Sequence, residues 1–122
     1  MKGAARTEVA GVVADVAPAG AGRIKRVVYP AGFRWSRDMK AQVGTEHCMH
    51  AHVGFLARGH VQVQYPDGCT EAFVAPQVVV IAPEHDAWVV GPEPAVIIEV
   101  DFLAQTAETF GLPATHRHPT GN

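Results

Sequence analysis

The sequence has few cysteines, few aromatic residues and no long apolar run. Its two cysteines, Cys48 and Cys69, form no Cys-x-x-Cys pair, so neither a disulfide framework nor a dithiol redox motif is expected. No apolar stretch approaches the roughly eighteen residues that a membrane-spanning helix needs. Glu8 and Asp15 interrupt the apolar N-terminal stretch, which argues against a signal peptide. These absences predict a cytoplasmic protein with free thiols and no membrane partner.

Charge of either sign is also scarce. Lys and Arg total 10 and Asp and Glu total 12, which gives a formal net charge of -2. This balance offers no broad basic surface, so nucleic acid is not an expected partner. The chain has 122 residues, of which 48% are hydrophobic, and this is enough for one core. We predict a single domain over residues 1–122.

Turn residues recur at short intervals between runs rich in valine and isoleucine. "HVQVQY" (60–65) alternates strictly and predicts a half-buried strand, which "PDG" (66–68) connects to the next strand as a hairpin. "VVVI" (78–81) and "AVIIEV" (95–100) are apolar on both faces, as in strands buried between two sheets. One short helix is expected, over about 103–110. The spacing of the strands predicts an all-β sandwich or barrel.

The segment "EHCMHAH", residues 46–52, contains several side chains that can bind metal ions. Imidazole and thiolate groups bind zinc, iron, nickel, copper and manganese, which makes His47, Cys48, His50 and His52 candidate ligands. On a straight strand Cys48, His50 and His52 would share one face, and His47 would point away unless the strand bends. The alternative is structural, because a buried histidine is more often a hydrogen-bonded core residue than a ligand. His52 fits that alternative best, since the apolar run "VGFLARG" follows it directly.

A second candidate group lies in "PEHDAW", just after the apolar run 78–81. His85 could point into a barrel from there and supply the other half of a metal site. Asp86 could orient the His85 ring as an outer carboxylate, although adjacent strand residues face opposite ways. Glu46 is the one candidate acid–base group that the sequence places beside the histidines.

Two segments, "HCMHAHVGFLARGHVQVQYPDG" and "PQVVVIAPEHDAWVV", resemble the cupins. Cupins are small proteins with a double-stranded β-helix, or jelly-roll, barrel that commonly holds a divalent metal ion. The resemblance implies an all-β jelly-roll barrel with a short C-terminal helix. It places the barrel core at residues 27–101, an N-terminal arm or strand at 1–26, and a short helix and tail at 102–122.

The match to the two cupin motifs is incomplete. Gly59 fits the glycine that ends the first motif, and counting back seven residues puts His52 at the position of the family's glutamate. In the second motif Glu84 falls on a glycine position and Ala87 falls on the histidine position. His85 lies two residues earlier, on the same strand face as Ala87, and could replace that histidine.

The closer similarity is to a cupin subgroup with Cys-x-x-x-His-Val-Gly and then Pro-x-His-Asp-x-Trp-Val-Val-Gly. The resemblance implies that Cys48, His52 and His85 form the polar set inside the barrel, with His47 and His50 as further candidate ligands. The implied cofactor is a divalent transition metal: zinc, iron, nickel, copper or manganese. Two functions stay open, a metal-dependent enzyme acting on a small molecule and a non-catalytic small-molecule-binding or sensor protein without metal.

The resemblance also implies a homodimer. Small cupins often pair through sheet edges or exchange N-terminal strands. The segment "EVAGVVADV", residues 8–16, lies outside the matched region and is apolar enough to need cover, so it could be the exchanged strand.

Overall fold

The computed structural model describes residues 4–102 and 105–113, and within them nine strands and three short helices. The strands are β1 (Ala5–Val9), β2 (Val12–Ala19), β3 (Gly22–Tyr29), β4 (His52–Arg58), β5 (His60–Gln64), β6 (Thr70–Val74), β7 (Gln77–Ile81), β8 (Asp86–Val89) and β9 (Ala95–Asp101). The helices are α1 (Trp35–Asp38), α2 (Lys40–Val43) and α3 (Thr106–Thr109). No helix of the described residues is long and apolar enough to cross a membrane.

The strands form two antiparallel sheets with the core between them. The larger sheet has the order β1-β2-β3-β9-β4-β7, and the smaller has the order β6-β5-β8. Leu56, Val79 and Ile97 of the larger sheet share one apolar cluster with Val61 and Val63 of the smaller sheet. Alternate residues of β4, β5, β7 and β9 therefore point into the core. The all-β prediction is confirmed.

The predicted hairpin is present. β5 pairs with β6 from His60 opposite Val74 to Gln64 opposite Thr70. The amide of Gly68 donates to the carbonyl oxygen of Tyr65 at 2.9 Å and closes the turn. Local turn residues and strict alternation thus determine this part of the fold.

The prediction that 78–81 and 95–100 are buried on both faces is wrong. β7 is an edge strand, where Val78 is 68% exposed and Val80 is 46% exposed. In β9, Ile98 and Val100 are 37% and 36% exposed. The smaller sheet covers only one face of the larger sheet, so the other apolar face is open to solvent in the single chain.

The prediction of a single helix near the C-terminus is also incomplete. α3 lies within the predicted range, although residues 103 and 104 are outside the described residues. α1 and α2 were not predicted. The Asp38 carboxylate accepts a hydrogen bond from the Arg34 amide at the start of α1, and Gly44, with φ of +85°, ends α2.

Residues 8–16 lie in the hairpin of β1 and β2. β2 pairs along its length with β3, so this hairpin extends the larger sheet. Exchange of this segment between chains stays a prediction, as do the domain boundaries.

Candidate metal centre

The backbone holds Cys48 and His85 side by side. The Cys48 amide donates to the His85 carbonyl oxygen at 2.7 Å. The Cys48 carbonyl oxygen accepts from the amides of Glu84 at 2.7 Å and His85 at 3.0 Å. These bonds form an isolated bridge between the segment before β4 and the loop after β7.

His52 begins β4 with its ring between a carboxylate and a thiol. His52 Nδ1 lies 3.0 Å from Glu99 Oε2 and 3.3 Å from Glu99 Oε1. His52 Nε2 lies 3.9 Å from Cys48 Sγ. An ionised carboxylate only accepts hydrogen bonds, so Nδ1 donates to Glu99 and Nε2 faces the sulfur.

His85 completes the group from the opposite side. Its Nδ1 donates to the Ala82 carbonyl oxygen at 2.8 Å, and the Ala82 amide donates to the Tyr65 hydroxyl at 3.3 Å. The rings of His52 and His85 lie 5.1 Å apart, centroid to centroid. One donor atom from each of Cys48, His52 and His85 lies within 4.8 Å of the other two. We call these three residues the Cys-His-His cluster.

Electrostatics in the cluster favour a thiolate beside an imidazolium. Burial raises the pKa of the Cys48 thiol, but hydrogen bonds with His52 and His85 outweigh burial and lower that pKa to about 5. Burial lowers the pKa of His52, but the Glu99 carboxylate and the Cys48 sulfur outweigh burial and raise it to about 10. Cys48 therefore has the charge state of a metal ligand at neutral pH.

Glu99 is a residue of the site that the sequence analysis missed. It lies on the inward face of β9, is 2% exposed, and contacts Lys25 Nζ at 3.2 Å as well as His52. Burial raises the pKa of Glu99, but His52 and Lys25 outweigh burial and lower it to about 2. The signal was a lone acidic residue in the run "AVIIEV", at the same strand parity as the core residue Ile97.

Gly54 lets Glu99 approach His52. It is the β4 partner of Glu99, and a Cβ added to it would lie 2.1 Å from the Ile98 carbonyl oxygen and 2.9 Å from Glu99 Cβ. A side chain would therefore push β4 and β9 apart. The glycine of the "HVG" segment is thus part of how the site is built.

The other candidates from 46–52 lie outside the Cys-His-His cluster. His50 is exposed but lines the cavity described below, and His47 is half-buried and lines a separate surface pocket. The Glu46 side chain is 82% exposed and pairs with Lys40 Nζ at 2.7 Å, outside that cavity. Residues 49–51, between Cys48 and β4, are not in a strand, so the straight-strand geometry does not apply.

Asp86 has a role different from the one considered for it. Its Oδ2 accepts from Arg34 Nε at 3.1 Å and its Oδ1 accepts from the Ser36 amide at 3.0 Å, so it does not orient the His85 ring. The Arg34 guanidinium also lies 4.3 Å from the centre of the Trp88 ring. These contacts hold α1 against β8, where both elements border the cavity.

A cavity of about 220 Å³ opens onto the Cys-His-His cluster. Most of its remaining wall is apolar or aromatic: Tyr29, Phe33, Trp35, Met39, Val61 and Trp88. Among the described residues, Lys25, His50 and the Tyr29 phenol are the titratable groups that line it outside the cluster. The site therefore has a polar base and an apolar wall, as small-molecule pockets commonly do.

No protein-family model and no curated protein matches this sequence. Among solved structures it is similar to a Cupin 2 conserved barrel domain protein from Salinispora arenicola CNS-205, with a TM-score of 0.54 and 19% identity over 88% of each chain. It is also similar to the Schizosaccharomyces pombe Cnp3 cupin domain, with a TM-score of 0.52 and 13% identity over 86% of this chain and 72% of that chain. The chain has the cupin fold. Identities this low show the fold alone, and they confirm the predicted jelly-roll barrel.

The cupin motif positions have structural counterparts in this chain. Gly59 has φ of +89°, and an added Cβ would lie 2.6 Å from the Pro94 carbonyl oxygen. Glu84, at a glycine position of the second motif, has φ of +67°, which is the left-handed region that glycine prefers. Ala87, at the histidine position, lines the cavity without a donor atom, and His85 reaches the cluster instead.

Proposed function

We propose that this cupin binds one divalent transition-metal ion through Cys48, His52 and His85, and that the ion serves a reaction on a small molecule in the cavity. The observation that carries the proposal is the convergence of three ligand atoms within 4.8 Å, on side chains that are largely buried.

The donor set fits a metal ion in chemistry and in spacing. Tetrahedral zinc with bonds of about 2.3 Å to sulfur and about 2.0–2.1 Å to nitrogen needs a sulfur–nitrogen separation of roughly 3.6 Å. Cys48 Sγ and His52 Nε2 are 3.9 Å apart, so this pair needs a shift of only a few tenths of an ångström, and the His85 donor atom lies within 4.8 Å of both. One thiolate and two imidazoles favour zinc, iron or copper over manganese.

The groups behind the ligands fit a metal site as well. A histidine that binds a metal through one ring nitrogen usually donates the other N–H to a carboxylate or a carbonyl oxygen. His52 donates Nδ1–H to Glu99, and His85 donates Nδ1–H to the Ala82 carbonyl oxygen. Both arrangements leave the two Nε2 atoms facing the cluster, and a metal ion would displace the proton that His52 Nε2 carries in the metal-free protein at neutral pH.

Charge and volume indicate the class of ligand. A divalent ion with one thiolate and two neutral imidazoles carries one net positive charge. Lys25 does not add to this charge, because the Glu99 carboxylate lies beside its ammonium group. An anionic oxygen would neutralise it, and the apolar wall favours a carbon ring behind that oxygen. A cavity of about 150 Å³ holds benzene, so about 220 Å³ holds one ring with a small substituent. We infer a monocyclic ligand with one anionic oxygen.

A bound ion would act as a Lewis acid that polarises an oxygen of the ligand. The chain itself supplies orientation and exclusion of water. Glu99 keeps the proton of His52 on Nδ1, and the cluster residues Cys48 and His85 are 8% and 2% exposed. Trp35 and Trp88, the two tryptophans of the chain, border the space where a ligand ring would lie.

Metal content tests the first half of the proposal. Protein purified without chelator should contain close to one equivalent of metal per chain, measured by inductively coupled plasma mass spectrometry. His52→Ala and His85→Ala should lose the metal, while His47→Ala, in the same segment but outside the cluster, should keep it. Full metal retention by His52→Ala would show the proposed ligand set to be wrong.

Tryptophan fluorescence tests the second half. Benzoate, which has a ring and an anionic oxygen, should quench the fluorescence of zinc-loaded protein at lower concentration than acetate or toluene. Zinc-free protein should bind benzoate more weakly. Equal responses to acetate and benzoate would contradict the inferred ligand class while leaving the metal site standing.

A second candidate function is binding of a small molecule without metal or catalysis. The observation that favours it is the small number of possible acid–base groups beside the cavity. Among the described residues these groups are Lys25, His50 and the Tyr29 phenol, apart from the cluster itself. This function predicts zinc-independent binding of benzoate and no metal in purified protein. Both free cysteines fit a cytoplasmic location under either function.

A further inference from the structure

The outer face of the larger sheet carries an apolar patch that the single chain leaves uncovered. On β4, β7 and β9 the outward positions are all apolar, apart from the bulge near Arg58. The most exposed of them form the group that we call the outer patch: Phe55, Val78, Val80, Ile98 and Val100, at 42%, 68%, 46%, 37% and 36% exposure. This face lies opposite the side that packs on the core and the cavity.

The strand register shows that the outer patch is continuous. Phe55 pairs with Val78 on one side and with Ile98 on the other, and Val53 pairs with Val80. Val78, Phe55 and Ile98 thus form one row across three neighbouring strands. Cross-strand neighbours on one face lie within about 5.5 Å of each other, so no gap separates them.

The same row becomes charged on the other half of the sheet. Ile98 pairs with Arg26, Arg26 with Asp15, and Asp15 with Arg6. The Arg6 guanidinium donates to Asp15 at 2.8 and 3.0 Å, so these charges already satisfy one another. This row is therefore apolar on β9, β4 and β7 and charged on β3, β2 and β1.

We propose that the outer patch is the interface of a homodimer in which two copies of this chain pack their larger sheets face to face. The occupant is a second copy because an apolar patch without charged side chains is complementary to itself and needs no partner of opposite charge. A two-fold axis through the patch would bury the outer patch of both copies and leave the charged row of Arg26, Asp15 and Arg6 at the rim.

The size of the outer patch agrees with this occupant. The exposed fractions correspond to roughly 400 Å² of apolar surface, which is the size of the largest apolar patch on a typical soluble protein, and such patches are often functional. A standard interface buries about 800 Å² on each partner, of which somewhat more than half is apolar. The outer patch supplies most of that apolar share.

The proposal differs from pairing through sheet edges or exchanged N-terminal strands. Face-to-face packing uses β4 and β9, which are interior strands of the sheet, and needs no contribution from β1. It also explains why 78–81 and 95–100 have the composition of strands covered on both faces. The second cover comes from the other copy.

Sedimentation equilibrium at micromolar concentration tests the interface with two matched valines. Val78 and Val74 are both exposed and both lie on edge strands, but Val74 belongs to the smaller sheet. Wild-type protein and Val74→Asp should sediment as dimers, at twice the chain mass of 13.0 kDa, and Val78→Asp as a monomer. Circular dichroism should show β structure in all three.

If Val78→Asp does not fold, Val78→Thr keeps the shape of the side chain and serves instead. Its dimer dissociation constant should be at least roughly tenfold higher than that of the wild type, because the substitution acts in both copies. A monomeric wild type would overturn the proposal. So would a Val78→Asp variant that folds and stays dimeric, which would place the contact at the sheet edges or N-terminal strands.

Discussion

The Cys48 thiol of the metal-free protein should ionise far below the usual pH of a cysteine. Cys48 is 8% exposed, and burial alone would oppose ionisation of its thiol. The pKa is nevertheless lowered to about 5, because His52 lies 3.9 Å away and His85 also faces the sulfur. The perturbation that tests this cause is His52→Ala, which removes the charged partner and leaves the burial.

The expected difference is large enough to measure directly. A pKa of about 5 means that roughly 99% of Cys48 is thiolate at pH 7, whereas an ordinary cysteine pKa of about 8.5 means roughly 3%. The assay is absorbance at 240 nm against pH, on protein treated with chelator. A Cys69→Ser background removes the second thiol of the chain.

In that background the absorbance of wild-type Cys48 should rise with a midpoint near pH 5. With His52→Ala the midpoint should move above the usual range, because burial then acts with less opposition. A midpoint near pH 8.5 in metal-free protein with His52 intact would refute the reasoning. It would mean that the sulfur and the two rings do not lie together as described.

Three further results are expected. Glu99→Gln should raise the Cys48 midpoint, because an amide stabilises the His52 imidazolium less than a carboxylate does, and exposed Glu93→Gln should leave it unchanged. The melting temperature of metal-free protein should fall as pH drops through about 5, because the lowered pKa of Cys48 no longer stabilises the fold once the thiolate is protonated. It should also fall as pH rises through about 10, because the raised pKa of His52 no longer stabilises the fold once the imidazolium loses its proton. Gly54→Ala should destabilise the fold by about 2–3 kcal/mol in chemical unfolding and raise the Cys48 midpoint, because it separates β4 from β9. An unchanged melting temperature in Gly54→Ala would contradict the close approach of these strands.

The sequence was sufficient to identify the elements whose signals are local. Strict alternation and a turn segment predicted the hairpin of β5 and β6. The spacing of Cys48, His52 and His85 matched a family pattern, and these side chains do lie together. In contrast, Glu99 lies in an apolar run far along the sequence from His52. Its role becomes clear only when β9 is paired with β4.

The exposure of β7 and β9 could not be predicted from the chain alone for a different reason. A strand that is apolar on both faces has the same sequence whether a second sheet or a second molecule covers it. Val78 and Ile98 have core composition but are 68% and 37% exposed in the single chain. Whether such positions are buried within one chain or between two chains cannot be read from the sequence of the strand.

The position of His85 helps to distinguish two possible functions of the charged pair formed by Cys48 and His52. Cys48, His52 and Glu99 in line would also fit a thiol nucleophile with its base and an orienting carboxylate. That use needs only one histidine. His85 is 2% exposed, and its Nδ1 is committed to the Ala82 carbonyl oxygen, so its Nε2 is the atom directed at the cluster. A thiol nucleophile would use His85 only as a further hydrogen-bond partner of the sulfur, whereas a metal ion would take it as a third ligand, and for this reason the metal site is the function that we propose.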